Sequence, residues 1–132
     1  MGFVRDPAQV ALIAVFIMLL KHLVCDYFLQ TQYQLANKGT YGHPGGIIHS
    51  GIHILGTAFL FLYLTPTIPL GAEILIGEFI VHYHIDWAKE QIVRRMNLTT
   101  ETTGFWWALG IDQFLHGATY VVIVWILMGA RI

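Results

Sequence analysis

A chain of 132 residues in which 56% are apolar and 11% are charged is too apolar for an ordinary soluble domain. The net charge of −1 offers no basic surface, so nucleic acid is not an expected partner. The mean hydropathy is +0.62, and the apolar residues form four long blocks that a core of this size could not bury. The composition therefore predicts an integral membrane protein whose partner is the lipid bilayer.

Each apolar block is close to the roughly 20 residues that a membrane-spanning helix needs. The turn Thr65-Pro66-Thr67 precedes the third block, and charged residues after Trp87 lead that block into water as an amphipathic extension. We expect an all-α integral membrane four-helix bundle that forms a single transmembrane domain over residues 1–132. Its spans are predicted at about 8–29, 47–64, 68–87 and 105–128.

Basic residues in the short loops predict the orientation, because Lys and Arg accumulate in cytoplasmic loops. Four of them share one side of the membrane and two share the other. This bias places the first and third loops in the cytoplasm, with both termini outside. The first set is Lys38, Lys89, Arg94 and Arg95, and the second is Arg5 and Arg131.

Every predicted span carries one pair of ionisable side chains. Asp and His inside a membrane are costly and usually face a bundle interior or a cavity. A spacing of i, i+4 places both side chains on one helix face about one turn apart, where they can ligate a common centre. All four pairs also lie at one membrane level, in the cytoplasmic half. The pairs are His22 and Asp26, His49 and His53, His82 and Asp86, and Asp112 and His116.

The two halves of the chain carry similar pairs in the same order. The first pair resembles the third, and the second resembles the fourth. Both hairpins begin on the same side, so the pattern predicts two similar hairpins related by a pseudo-twofold axis along the membrane normal. The rest of the two halves matches poorly, and duplication is therefore a hypothesis.

Three interpretations of these eight residues are open: interhelical hydrogen bonding alone, a metal site, or axial ligation of haem. Three aspartates at a span centre would cost roughly 8–10 kcal/mol, while a typical interhelical hydrogen bond returns about 0.6 kcal/mol. Bound zinc offsets that cost better, since its apparent affinity reaches about 10–16 kcal/mol in protein sites. Aspartates at positions equivalent to histidines argue against haem. We expect all eight residues as metal ligands, for one or two transition-metal ions, with zinc first and iron or manganese as alternatives.

Other polar residues near the pairs have less specific interpretations. Glu78 lies one turn before His82 and extends the same stripe, so it is a candidate to support a ligand. Lys21 is expected to reach toward the interface or to bind a phosphate. His84 lies on the other side of its helix and is placed outside the site. The glycine-rich segment 37–46 is either a lid over the mouth or a flexible connection.

Four motifs resemble those of a bacterial and phage family of small membrane proteins of unknown function. They are the run from Lys21 to Gln32, His49-Ser50-Gly51-Ile52-His53, the run from His82 to Lys89, and Asp112-Gln113-x-x-His116. The resemblance covers nearly the whole chain and implies the fold and residence in a bacterial inner membrane, with no reaction attached. A looser similarity, confined to His and Asp motifs in short spans, is to membrane-bound metal-dependent hydrolases.

These patterns favour a metal-dependent hydrolase acting near the cytoplasmic face on a lipid-linked or membrane-partitioned ester, amide or phosphoester. Asp26 and Asp86 are the candidate catalytic residues, because each lies one turn nearer the mouth than its partner histidine. The alternative is a non-enzymatic metal or haem carrier, or an accessory membrane subunit with a structural metal. An open coordination position would favour the enzyme, and a site closed by protein ligands would favour the alternative. No oligomeric state is predicted.

Overall fold

A computed structural model describes residues 6–130 of the chain, and within them the fold is built of helices without a β-strand. Four helices are long and one is short, which confirms the predicted all-α bundle. They are α1 Pro7–Leu23, α2 Gln32–Asn37, α3 Pro44–Leu64, α4 Ile68–Arg95 and α5 Thr103–Gly129.

Four segments are long and apolar enough to cross a membrane, judged by length and composition: Pro7–Phe28, α3, α4 and α5. Large apolar side chains cover the outside of the bundle, as with Leu62, which is 80% exposed, and Phe114, which is 72% exposed. Such a surface suits lipid and not water, so the helices indicate an integral membrane protein. Arg5 and Arg131 lie outside the described residues, and the orientation stays a prediction.

Proline and capping residues set where the helices begin. Pro7 and Pro44 occupy the first turns of α1 and α3, where the missing N–H costs nothing. The loop predicted over residues 30–46 therefore contains α2 and the first turn of α3, which starts three residues before the predicted span because Gly45 and Gly46 are helical. α4 runs unbroken to Arg95, so the predicted amphipathic extension is part of one helix.

The four long helices form a closed ring in which α1 packs against α3 and α5, and α4 packs against the same two helices. α1 is thus diagonally opposite α4. This is the arrangement that two hairpins related by a twofold axis would give, although the symmetry itself stays a prediction.

The interior of the ring is divided into two halves along the helix axes. The half nearer the chain termini holds an apolar core, and the half nearer the α1–α3 connection holds the His and Asp pairs. Apolar packing therefore stabilises one end and leaves the polar end to be stabilised by its own contacts. The core consists of Val10, Ala14, Met18, Leu60, Leu64, Ile74, Tyr120, Ile123, Val124 and Leu127.

The connection between α1 and α3, residues 29–43, folds back over the polar end of the bundle. The second half of α4 holds it there through hydrogen bonds to its backbone and side chains. These are Gln91 Nε2 to the Gly39 carbonyl, Arg94 Nη2 to the Ala36 carbonyl, the Gly42 N–H to Tyr83 Oη, and Tyr41 Oη with His84 Nε2. The covering loop, as we call residues 29–43, is therefore an ordered part of the fold.

Candidate metal centre

The eight residues singled out from the sequence come together in the polar half of the bundle. Seven are buried, and the side chain of Asp26 is 9% exposed. Imidazole rings from different helices stack closely, with 3.8 Å between the ring centroids of His53 and His82 and 4.2 Å between those of His82 and His116. Four helices therefore contribute to one compact cluster.

Asp26 contacts histidines of α1 and α3. Its Oδ1 accepts a hydrogen bond from His53 Nε2 at 2.9 Å and lies 3.3 Å from His49 Nε2. Its Oδ2 lies 3.1 Å from His22 Nε2. The residue sits in a π-helical turn, Val24–Phe28, that extends α1. Such turns are rare and are often found at functional sites.

Asp86 plays the corresponding part on α4. Its Oδ1 accepts from His116 Nε2 at 3.2 Å, while its Oδ2 lies 3.1 Å from His49 Nε2 and 3.6 Å from His82 Nε2. The contact of Asp86 with His116 matches that of Asp26 with His53, as the proposed repeat requires. His49 lies between the two carboxylates.

Two histidines at the centre of the cluster keep their ring nitrogens without hydrogen-bond partners among the described residues. Both nitrogens of His49 and of His82 are buried and unpaired. His49 Nε2 is within 3.3 Å of two carboxylates, but its direction does not suit a hydrogen bond to either. Buried polar atoms are nearly always satisfied, and nitrogens that converge with carboxylates in this way could hold a metal ion.

Two groups of side chains have the geometry to hold a metal ion. In each group, one ligand atom per residue lies within 4.8 Å of all the others. The groups share His82, and together they contain six of the eight predicted ligands. The group of four is Asp26, His49, His53 and His82, and the group of three is His82, Asp86 and His116.

Residues 14–131 match the family described as "Protein of unknown function (DUF3307)". The chain belongs to this family. No curated protein matches the chain, and no solved structure matches it either. The resemblance seen in the sequence is thus confirmed at the level of an unknown-function family, and the function has to be inferred from the site.

Two predicted ligands lie at the edge of the cluster and not in either group. Both ring nitrogens of His22 are engaged, with Tyr120 Oη 2.7 Å from Nδ1 and Gln113 Oε1 3.0 Å from Nε2. Asp112 Oδ2 accepts from Gln113 Nε2 at 3.0 Å, and its Oδ1 lies 3.6 Å from His116 Nε2. Tyr120 was not singled out from the sequence, although it follows His116 by one turn on the same stripe.

Lys38 of the covering loop is the second residue that sequence reasoning missed. It is 5% exposed, and its Nζ lies 3.5 Å from Asp86 Oδ2. Burial alone lowers the pKa of a lysine, but attraction to Asp86 and then to Asp26 and Asp112 outweighs it, so the pKa of Lys38 is raised. The cluster therefore contains a fixed positive charge, which no local sequence signal indicates because loop closure brings it there.

Lys21 does not extend to the interface as expected. Its Nζ is buried and forms an ion pair with Glu78 Oε1 at 2.6 Å, with Thr57 Oγ1 at 3.2 Å and the His53 carbonyl at 3.4 Å. The ammonium also lies 4.4 Å from the centre of the Tyr120 ring. Glu78 is thereby tied to Lys21 and not to His82, and this layer separates the His and Asp cluster from the apolar core.

Proposed function

We propose that this protein is a metal-dependent hydrolase that acts on an ester, amide or phosphoester presented by the membrane. The observation that carries the proposal is the group His82, Asp86 and His116, which offers two imidazoles and one carboxylate within 4.8 Å of one another. Catalytic zinc sites in proteins use three such ligands and leave a fourth position for water or substrate.

The charge of the cluster supports one divalent ion. At formal charge, with the histidines counted as neutral, the three aspartates and Lys38 sum to −2, which one divalent cation would neutralise. A ligand set of imidazole and carboxylate suits zinc, with iron or manganese as alternatives. Because the two groups share His82, the site favours one bound ion at a time. A bound zinc would supply Lewis acidity and a water that ionises near neutral pH.

Within this proposal the two candidate catalytic aspartates have different roles. Asp86 belongs to the group of three and would hold the metal. Asp26 lies outside that group, across His49 from Asp86, and would take a proton from water. Asp26 Oδ2 also accepts from Gln113 Nε2 at 3.4 Å, which fixes the carboxylate. The bound substrate would lie at the cytoplasmic face of a bacterial inner membrane if the predicted orientation holds.

A second candidate function is a carrier or an accessory subunit with a structural metal. It is favoured by the group of four, Asp26, His49, His53 and His82, which would complete a tetrahedral site with protein ligands alone. The two functions differ in whether Asp26 binds the metal, and that difference can be measured.

The test compares Asp26→Asn with Asp86→Asn in protein purified without chelators and loaded with zinc. The enzyme proposal predicts that Asp26→Asn keeps its metal and lowers metal-dependent hydrolysis by about two to four orders of magnitude, while Asp86→Asn loses metal. Hydrolysis is followed with phospholipid and lipid-linked ester, amide and phosphoester substrates. Loss of metal in Asp26→Asn, with no metal-stimulated hydrolysis by the unaltered protein, would establish the carrier or structural role instead.

A further inference from the structure

A lateral groove runs along the outside of the bundle between α4 and α5. It consists of two cavities of about 640 and 620 Å³, each within the size range of small-molecule sites. Both cavities are lined by Val81, Ile85 and Leu115, so they form one continuous groove. Because α4 and α5 are long enough to cross the membrane, this groove opens toward lipid.

The groove reaches the metal-ligand cluster from the side. Asp112, which is 4% exposed, lines the first cavity, and its Oδ1 has no hydrogen-bond partner among the described residues. The next turn of α5 carries His116, a member of the group of three. A molecule in the groove would therefore lie beside Asp112, at the edge of the cluster and one helix turn of α5 from His116.

The opposite approach, from the aqueous side, is covered. Lys38 is buried against Asp86, and the covering loop is fixed to α4 by several hydrogen bonds. A bulky polar substrate would have to displace this loop, whereas a lipid in the bilayer would not. The geometry therefore favours entry through the groove.

The groove has a polar end and an apolar remainder, which match the headgroup and the acyl chain of a phospholipid. Its loop-side end carries the exposed ring of Trp107 and Lys89, whose Nζ forms an ion pair with Glu90 and keeps further N–H donors for a phosphate. Such residues are typical of the headgroup region. Lys89 lies three residues beyond Asp86, about 4.5 Å along the helix axis. A phosphate near Lys89 would place the adjoining headgroup linkages at the level of the cluster, with the chain among Val81, Ile85 and Leu115.

We propose that the α4–α5 groove binds one long apolar chain of a bilayer phospholipid and delivers its headgroup linkage sideways to the cluster. The link to catalysis rests on the proposed hydrolase function, whereas the binding of the chain does not. A second copy of this chain is the competing occupant, and the test separates the two.

The test uses phosphatidylglycerol with a photoreactive diazirine in one acyl chain, incorporated into vesicles with the full-length protein. Irradiation should label peptides of α4 and α5 that line the groove in preference to equally exposed parts of α1 and α3. Ala108→Trp fills the groove, and Val121→Trp places the same indole ring on the same helix outside the lining. We expect Ala108→Trp to lose about tenfold in labelling, equivalent to about 1.4 kcal/mol of binding, and Val121→Trp to retain it.

The distribution of label over the helices of the unaltered protein tests the inference even if a variant fails to fold. Uniform labelling of all four long helices would overturn the inference. In a parallel sample treated with a bifunctional cross-linker, cross-links from groove residues to a second copy that Ala108→Trp abolishes would also overturn it. Metal content measured on the same samples distinguishes failure of the hydrolase proposal from failure of the lipid-groove proposal. Groove labelling of a metal-free protein would contradict the hydrolase alone, and uniform labelling of a metal-loaded protein would contradict the lipid groove alone.

Discussion

His82 occupies the central position among the individual residues of the site. Both of its ring nitrogens are buried without a hydrogen bond among the described residues, and it belongs to both groups that could hold a metal. Its counterpart on α1, His22, has both nitrogens occupied by Tyr120 and Gln113. The two histidines are equivalent in the sequence repeat and different in their surroundings, because of the two only His82 has a ring nitrogen lone pair that no hydrogen bond occupies.

Replacing His82 should therefore have the largest effect on metal binding of any single histidine change. We expect His82→Gln to reduce bound metal to a small fraction, since it removes a ligand from either group. His84→Gln is the matched control, because this residue is exposed and lies two positions away on the same helix. Metal analysis of both variants checks the prediction, and equal metal content in the two would contradict it.

Lys38 should weaken metal binding by its charge. Its ammonium lies 3.5 Å from Asp86 Oδ2, where it competes with a cation for the carboxylate. Lys38→Met keeps most of the side-chain stem and removes the charge, so we expect metal to bind about ten- to a hundredfold more tightly. Arg95→Met removes an exposed charge from α4 and should change little. Competition titration with a fluorescent chelator measures both, and unchanged affinity in Lys38→Met would refute the competition.

Contacts between helices keep the polar half of the bundle together where the apolar core ends. Lys21 on α1 passes Gly56 of α3 to form a buried ion pair with Glu78 on α4, and its hydrogen bonds to Thr57 and the His53 carbonyl attach it to α3 as well. The π-helical turn after α1 and the hydrogen bonds of the covering loop complete this end. A buried ion pair contributes less net stability than its attraction alone, but breaking it leaves an unpaired charge and is costly.

Gly56 is needed for this crossing. A Cβ atom there would lie 2.5 Å from Lys21 Cγ and 2.6 Å from its Cδ. We expect Gly56→Ala to destabilise the fold by about 1–3 kcal/mol, through overpacking against the lysine stem. Gly51→Ala on the same helix meets nothing within 4 Å and should be neutral or slightly stabilising. Thermal unfolding in detergent compares them, and equal midpoints would show that Lys21 can move aside without cost.

At the scale of the whole molecule, the bundle buries polar residues at one end and apolar residues at the other. The sequence predicted the four long helices and the pairs that meet between them, because hydrophobic length and i, i+4 spacing are local signals. It could not show that Lys38 enters the cluster, since that depends on how the covering loop closes. Nor could it separate His82 from His22, because the difference comes from Tyr120 and Gln113 on α5.

The central claim is that the buried His and Asp cluster binds a transition metal. Its most direct test is the metal content of the full-length protein after purification in detergent without chelators or a histidine tag, measured by mass spectrometry of the elements. We predict one divalent transition-metal ion per chain, zinc first, and its loss on acidification, when protons displace metal from the imidazoles. A protein that remains metal-free, and that takes up none when zinc, iron or manganese is added at neutral pH, would contradict the claim.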